Sequence, residues 1–454
     1  MTQAVEDDAL AWLYSRSRAG GERTSARAAA LLAALGLAPP PLTAVVVGTN
    51  GKGTVTAMMA AGLSAAGRVT GRFLSPHVEA FEERVAVAGN PTTRGRVAEF
   101  VRAARDLDAA WPHGEATRPA FFEWVLAFAL DEFNRLGADA AVLEAGVGGH
   151  HDATRAVAPL ALAVLTNVDL DHVETLGGSL EAIARDKALA FRPGVPAVCG
   201  ATQPGVLAVV GSVAAELGAP LHVDPFAAGG GGEAALFTLP RAVERALGEP
   251  GTAGGLRRAN RRANSRLAAA ALRLLGVDEA GVAAGLTAPA LPARLERFLL
   301  PPAAVGSRPV LVVLDGAHDP AAADRLAGEV EPGYVLLFGA LARKQGREVL
   351  ERLAPRAAGV VVTDAATGEP AAHARAGDVY LSDTSAALGA ALALAEATPT
   401  DQPTVVVAGS LYLAGLVRPL LRAAGTRLMD PWEGPAPRPA AGLSARSRRA
   451  TYGG

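Results

Sequence analysis

Apolar positions along the chain alternate between helical and strand spacing. Leu31, Leu32 and Leu35 recur at helical intervals, predicting a helix within residues 9–37 that the run Pro39-Pro40-Pro41 breaks. Residues 42–47 form a short β-branched run, predicted as a buried strand. A glycine-rich turn over 48–53 and a helix over 54–66 follow. Strand, glycine turn, helix is the opening of a parallel α/β domain. The alternation recurs with a helix over 120–136, a strand over 139–144, a strand over 160–166 and a helix over 179–191. Strands over 196–199 and 220–223 continue the sheet, residues 226–256 read as loop-rich, and a helix is predicted over 258–275.

Pro289 and Pro292 mark a candidate boundary, beyond which the alternation restarts. The predicted order is strand 310–314, helix 320–329, strand 334–338, helix 346–353, strand 359–363, helix 385–397, strand 404–408 and helix 411–423. The expected fold class is α/β: a larger P-loop domain over 1–290 and a smaller, Rossmann-like C-terminal domain over 291–428. Residues 429–454 are rich in Pro, Gly, Ala and Arg without periodicity, and are expected to be a disordered tail.

Composition narrows the class. Half of the 454 residues are apolar, 19% are charged and the formal net charge is −2, so full cores can form. This balance gives no support to a nucleic-acid or membrane-surface partner. No apolar run reaches ~18 residues, the length of a spanning helix. Residues 1–8 are acidic where a secretory signal is basic and then apolar, so a cytoplasmic protein, expected to be a monomer, is the default. Cys199 is the single cysteine, which excludes an internal disulfide. Of 43 basic residues only three are lysines: Lys52, Lys187 and Lys344. In a chain that uses arginine almost everywhere, a lysine points to a need for a compact charge or a nucleophilic amine.

Four segments carry candidate chemistry. In Gly48-Thr49-Asn50-Gly51-Lys52-Gly53-Thr54, backbone N–H groups and a helix N-terminus suit an anion. Lys52 adds a point charge and Thr54 a hydroxyl, although the strict phosphate-loop spacing is not met. Glu144, before Gly146-Val147-Gly148-Gly149, ends a buried strand where α/β sheets bind ligands and where a carboxylate can hold Mg²⁺. Thr166-Asn167-Val168-Asp169-Leu170-Asp171-His172 places an imidazole in an acidic loop past another strand. Lys187, after Arg185 and Asp186, is either a surface ion pair or a lysine that forms an anionic, metal-binding carbamate.

These segments stand in one order with Ser75-Pro76-His77, Phe81-Glu82-Glu83-Arg84, Asp152-Ala153-Thr154 and Asp315-Gly316-Ala317-His318. Over residues 40–425 the chain resembles the bifunctional dihydrofolate synthase/folylpolyglutamate synthase family of the Mur ligase superfamily. The resemblance implies an ATP-dependent ligase that adds L-glutamate to a pterin or folate carboxylate through an acyl phosphate. It implies that Gly48, Thr49, Asn50, Gly51, Lys52, Gly53, Thr54, Asn264, Arg294 and Asp315 bind ATP. Ser75 and Glu144 would hold one Mg²⁺, and His172 and carbamylated Lys187 a second. Phe122, Glu123, Asp152, Ala153 and Thr154 match the pterin region, and His318 and Ser410 the glutamate region; Lys52, Lys187, His172 and His318 carry the catalytic expectation. His150, Arg155, Asn260-Arg261, Arg343, Gln345 and Asp319 depart from the family pattern. They direct attention to substrate choice rather than reaction type. A related ligase for another carboxylate, or a nucleotide binder without catalysis, are the rival readings.

Overall fold

The computed structural model describes residues 3–16, 24–112, 114, 118–170, 176–228, 234–247, 255–288, 291–302, 308–341, 345–364, 374–375 and 377–429. Two sheets organise it. The first runs β4-β3-β2-β5-β1-β6-β7-β8, with β1 Leu42–Val47, β2 Thr70–Phe73, β3 Val85–Val87, β4 Asn90–Pro91, β5 Ala140–Glu144, β6 Leu162–Leu165, β7 Ala197–Cys199 and β8 Leu221–Val223. β2, β5, β1, β6, β7 and β8 pair in parallel, and β3 and β4 add an antiparallel edge. Side chains alternate between the two faces of a strand. Val45 and Val47 therefore enter one core with Trp124, Phe128 and Phe133, while Ala44 and Val46 enter the other with Met59 and Leu272. Burial on both faces is why these strands read as unbroken apolar runs. A fully buried Phe128 or Phe133 contributes about 1.5–3 kcal/mol.

The second sheet runs β13-β12-β11-β14-β10-β9-β15, with β9 Glu296–Leu300, β10 Val310–Leu314, β11 Tyr334–Phe338, β12 Ala357–Val362, β13 Val379–Tyr380, β14 Thr404–Ala408 and β15 Arg427–Leu428. It is parallel except where β9 pairs antiparallel with β10 and β15. Helices Thr384–Ala397 and Leu411–Ala423 cover one face, and Pro320–Glu329 and Gly346–Leu353 the other.

Several expectations need correction. The helix predicted over 9–37 is two helices, Gln3–Ser15 and Ala26–Leu35, the second closed by Gly36 at φ 63°. The segment read as loop-rich holds helices Pro225–Ala228, Ala234–Phe237 and Arg241–Leu247. β2, β3, β4 and β9 and the helices Arg94–Ala109, Pro204–Leu217 and Glu279–Thr287 are elements the apolar pattern does not predict. The expected tail lies, from residue 430 on, outside the described residues.

Candidate active site

Ligands of open α/β sheets bind at the carboxyl ends of strands, where the strand order reverses. Here β1 lies between β5 and β6, and the chain leaves it for β2 on the far side of β5. The loops after β1, β2, β5 and β6 therefore meet, and together with the loops after β10, β11 and β14 they line a cleft of ≈ 690 Å³. Gly48 (φ 147°) and Gly51 (φ 83°) lie in backbone regions that favour glycine. A Cβ on Gly48 would collide with Thr166, and one on Gly51 would stand 2.5 Å from Asn264 Oδ1. The β6 loop braces the turn. Asn50 N donates to Asn167 Oδ1 (2.8 Å), Thr166 Oγ1 to Asn50 O (2.6 Å) and Asp169 N to Thr49 Oγ1 (3.0 Å). Lys52, first residue of helix Lys52–Ala65, donates from Nζ to Gly48 O (3.1 Å) and Thr49 O (3.0 Å). Gly53 and Thr54 line the cleft beside it.

Glu144 closes β5, is buried, and accepts from Ser75 N (2.9 Å). Burial pushes its carboxyl up, opposed by the positive charge of Lys52. Ser75 Oγ accepts from Arg84 (3.2 Å), whose Nε bonds His77 Nδ1 (2.8 Å). The surface ion pair considered for Lys187 and Asp186 is not formed. Lys187 is buried and donates to Gly48 O (2.9 Å), while Asp186 Oδ2 accepts from Gly149 N (2.9 Å). Arg185 turns away to Glu216 (2.9 Å). Gly149 has no room for a side chain, because a Cβ would sit 2.5 Å from Lys187 O. The phosphate-type loop and the Lys187 helix thus meet at Gly48 O. His172, Arg343 and Lys344 lie outside the described residues.

The opposite wall comes from the second sheet. Arg294 is exposed in the cleft between two non-glycine residues in the left-handed region, Ala293 (φ 52°) and Leu295 (φ 55°). Such a conformation costs about 1–2 kcal/mol per residue, so the surroundings must impose it. They do: Asp315 Oδ2 accepts from Leu295 N (2.9 Å), and Gly316 N donates to Ala293 O (3.0 Å). Burial raises the Asp315 carboxyl, and Arg294 opposes that rise. His318 Nδ1 is 2.8 Å from Gly316 O. Ser410 caps helix Leu411–Ala423, its Oγ accepting from Tyr412 N (3.0 Å). Asn264, Arg294, Asp315, His318 and Ser410 all line the one cleft.

The five expected pterin residues are not among those lining it. Glu123 is buried and accepts from Ala120 N (3.1 Å), capping helix Phe121–Arg135. Asp152 accepts from Val147 N (2.9 Å) and from Thr154 N (3.0 Å) and Oγ1 (2.7 Å), and Ala153 and Thr154 are buried with it. Phe122 packs on Phe73, with ring centres 5.6 Å apart, and abuts Gly146, which does line the cleft. This cluster stands behind the β5 loop. Arg84 and Asn167 brace the site, and the sequence alone assigns neither a role. Their partners, Ser75 and Asn50, lie about nine and over a hundred residues away in sequence, so chain spacing alone does not reveal the pairing.

Residues 46–199 match the Mur ligase middle domain family. The chain is 30% identical over 366 residues to the dihydrofolate synthase/folylpolyglutamate synthase of Bacillus subtilis, covering 76% of this chain and 82% of that protein. It is 33% identical over 395 residues to a probable bifunctional folylpolyglutamate synthase/dihydropteroate synthase of Haloferax volcanii, of which the match spans 45%. Among solved structures, Escherichia coli FolC in complex with DHPP and ADP superimposes with a TM-score of 0.72 at 27% identity, over 92% of this chain and 98% of that one. The Mycobacterium tuberculosis folylpolyglutamate synthase complexed with ADP and AMPPCP gives 0.74 at 26% identity, over 92% and 99%. Matched over most of its length by such relatives in sequence and fold, this chain belongs to the dihydrofolate synthase/folylpolyglutamate synthase family.

Proposed function

We propose that this protein is an ATP-dependent ligase that adds L-glutamate to the carboxylate of a pterin or folate substrate, dihydropteroate or tetrahydrofolate. One observation carries the reading: a single cleft gathers Lys52 and the glycine turn from one sheet and Arg294, His318 and Ser410 from the other. A substrate carboxylate oxygen attacks the terminal phosphorus of ATP and ADP leaves. The glutamate amine then attacks the acyl carbon, phosphate leaves and the nitrogen loses a proton. Negative charge accumulates on phosphate oxygens and then on a tetrahedral oxyanion, so oriented donors and cations are what the chemistry needs. The turn's N–H groups, Lys52 and Arg294 meet the first demand, with Asn264 and Asp315 fixing the nucleotide. His318 and Ser410 border the place of the incoming glutamate.

The donor set fits a hard divalent cation. Glu144 offers a buried carboxylate with no cationic side chain hydrogen-bonded to it among the described residues, and Ser75 offers a hydroxyl oxygen. Glu144 and Ser75 would hold Mg²⁺ there, which would supply charge neutralisation at the phosphates. For a second ion we propose that Lys187 is carbamylated: its neutral amine adds to CO₂ and loses one proton. Its burial and its place at Gly48 O support this, and the N–H that remains can still donate. His172 is proposed as its companion ligand. The pterin is proposed to reach the cleft beside Phe122 and the Asp152–Thr154 turn, with Glu123 behind. The same reading divides the chain at 290 into two domains and describes a cytoplasmic monomer acting on small molecules, with neither nucleic acid nor membrane as partner. Among the described residues no helix is long and apolar enough to cross a membrane.

The test is an assay of purified protein with ATP, Mg²⁺ and glutamate, offering dihydropteroate and tetrahydrofolate in parallel and reading the amide product by mass. The expected result is ATP-dependent addition of one glutamate to at least one acceptor. Product from neither overturns the reading.

A further inference from the structure

Arg294 reaches the cleft from the short segment that enters β9, and its two left-handed neighbours mean that its direction is imposed rather than intrinsic. Two carboxylates impose it. Asp315 takes Leu295 N on one side, and Glu296 Oε2 takes Ala293 N (3.1 Å) on the other. They come from adjacent strand ends, because Glu296 pairs in register with Leu314. Glu296 is itself clamped by a two-pronged guanidinium: Arg418 Nε lies 3.0 and 2.9 Å from its two oxygens and Arg418 Nη2 2.8 Å from one. That fork geometry fixes a carboxylate in orientation as well as place. Arg418 also pairs with Glu79, which follows the Ser75–Pro76 turn of the first sheet's loops, and Arg422 joins it there. A chain of ionic contacts thus runs from Glu79 through Arg418 and Glu296 to the backbone that carries Arg294.

We propose that Glu296, held by Arg418, is a positioning residue that aims Arg294 at the phosphates of the bound nucleotide. The proposal rests on the ligase reading. It makes the aim of a phosphate-binding arginine depend on contact between the two sheets' elements, since Glu79 lies in the connection after β2 of the first sheet and Arg418 on helix Leu411–Ala423 against the second.

A double-mutant cycle tests it on the full chain, with AMPPNP and Mg²⁺ as the probe and calorimetric affinity as the readout. Contacting or serially linked residues give non-additive effects, and independent ones add. Arg294→Ala and Glu296→Ala should each weaken AMPPNP by about tenfold, and the double variant should be no weaker than Arg294→Ala by more than about twofold. A merely structural Glu296 would lower the melting temperature and leave affinity alone, or would add its loss to that of Arg294→Ala. Either result overturns the proposal. Should Glu296→Ala fail to fold, Glu296→Gln keeps an acceptor for Ala293 N and should show the same non-additivity at smaller size; full additivity there is equally fatal. Wild-type protein that binds no AMPPNP overturns the ligase reading together with the inference, whereas wild-type binding with additive variants overturns the inference alone.

Discussion

At the scale of the residue, the three lysines separate by surroundings. Lys52 reaches two loop carbonyls at 3.1 and 3.0 Å from a turn closed by glycines. A guanidinium is longer, flat and differently hydrated. Lys52→Arg should keep its far-UV circular dichroism and lose at least about a hundredfold in kcat, the size of a lost oriented cation at a reacting phosphate. Near-normal turnover would remove Lys52 from phosphate binding. Lys187→Arg should be inactive as well, because guanidinium forms no carbamate, and Lys187→Ala should recover some activity with a small carboxylic acid in the buffer. An active Lys187→Arg enzyme sinks the carbamate. Glu144→Ala should shift the Mg²⁺ titration to higher concentration by removing a hard oxygen donor; an unmoved titration leaves Glu144 as a buried strand end. What could be read of the site from sequence was the part coded by strand–loop junctions: the turn after β1, Glu144 after β5 and Thr166–Asp169 after β6. What could not be read was pairing across the fold. Asn50 on Asn167, Asp186 on Gly149 and Glu296 on Arg418 depend on which segments the sheet order brings together, and no local pattern encodes that order.

At the scale of the element, Glu123 shows how a residue inside a family motif can act on the fold. Its carboxylate caps Ala120 N at 3.1 Å and starts helix Phe121–Arg135, whose Trp124 and Phe128 fill the core. Glu123→Ala should cost about 1–3 kcal/mol, since it strands a buried N–H at a helix start. In Glu123→Gln, which still accepts that bond, KM for the pterin substrate should stay within about twofold of the wild type, a change too small to count as a lost charge-assisted contact. A large rise in KM without a change in melting temperature would give Glu123 to the substrate instead. The apolar pattern found β1, β5 and β6 because both faces of each are buried, so that Val45, Val46 and Val47 needed no alternation. It passed over β2, where Thr70-Gly71-Arg72 interrupts the run, although Gly71 is required: a Cβ there would lie 2.6 Å from the Phe133 ring. It passed over helix Arg94–Ala109 for a different reason. That helix buries a stripe that ends on a charged residue, from Val97 to Asp108, and its Arg96 meets the buried Glu132 of helix Phe121–Arg135 at 3.0 Å.

At the scale of the whole molecule, the two sheets turn the carboxyl ends of their parallel strands toward one cleft, and the contacts between them decide how the cleft is held. Arg325 faces Asp169 at 3.6 Å across it, a partly exposed pair worth about 0–1 kcal/mol at most. The closer junction is backbone on backbone: helix Leu411–Ala423 lies so near the Val78 carbonyl that a Cβ on Gly415 would collide with it. Ser410 caps the same helix, so a wedge at Gly415 displaces the wall on which glutamate is proposed to sit. Gly415→Val should cost about 1–3 kcal/mol through overpacking at that contact. Circular dichroism should be unchanged, because neither sheet is touched. The radius of gyration from solution scattering should rise, and kcat/KM for glutamate should fall by at least about tenfold, the consequence of misplacing a reacting partner by an ångström or so. Gly389→Ala is the matched control. Nothing lies within 4 Å of its would-be Cβ in helix Thr384–Ala397, so it should add up to ~1 kcal/mol of helix stability and leave turnover alone. If Gly415→Val proves as active as Gly389→Ala, the Val78 contact is packing without consequence for the cleft. If activity falls while the scattering radius stays put, the helix has shifted against its own sheet and the two sheets have not parted. Only the joint change ties turnover to how tightly the two sheets are held.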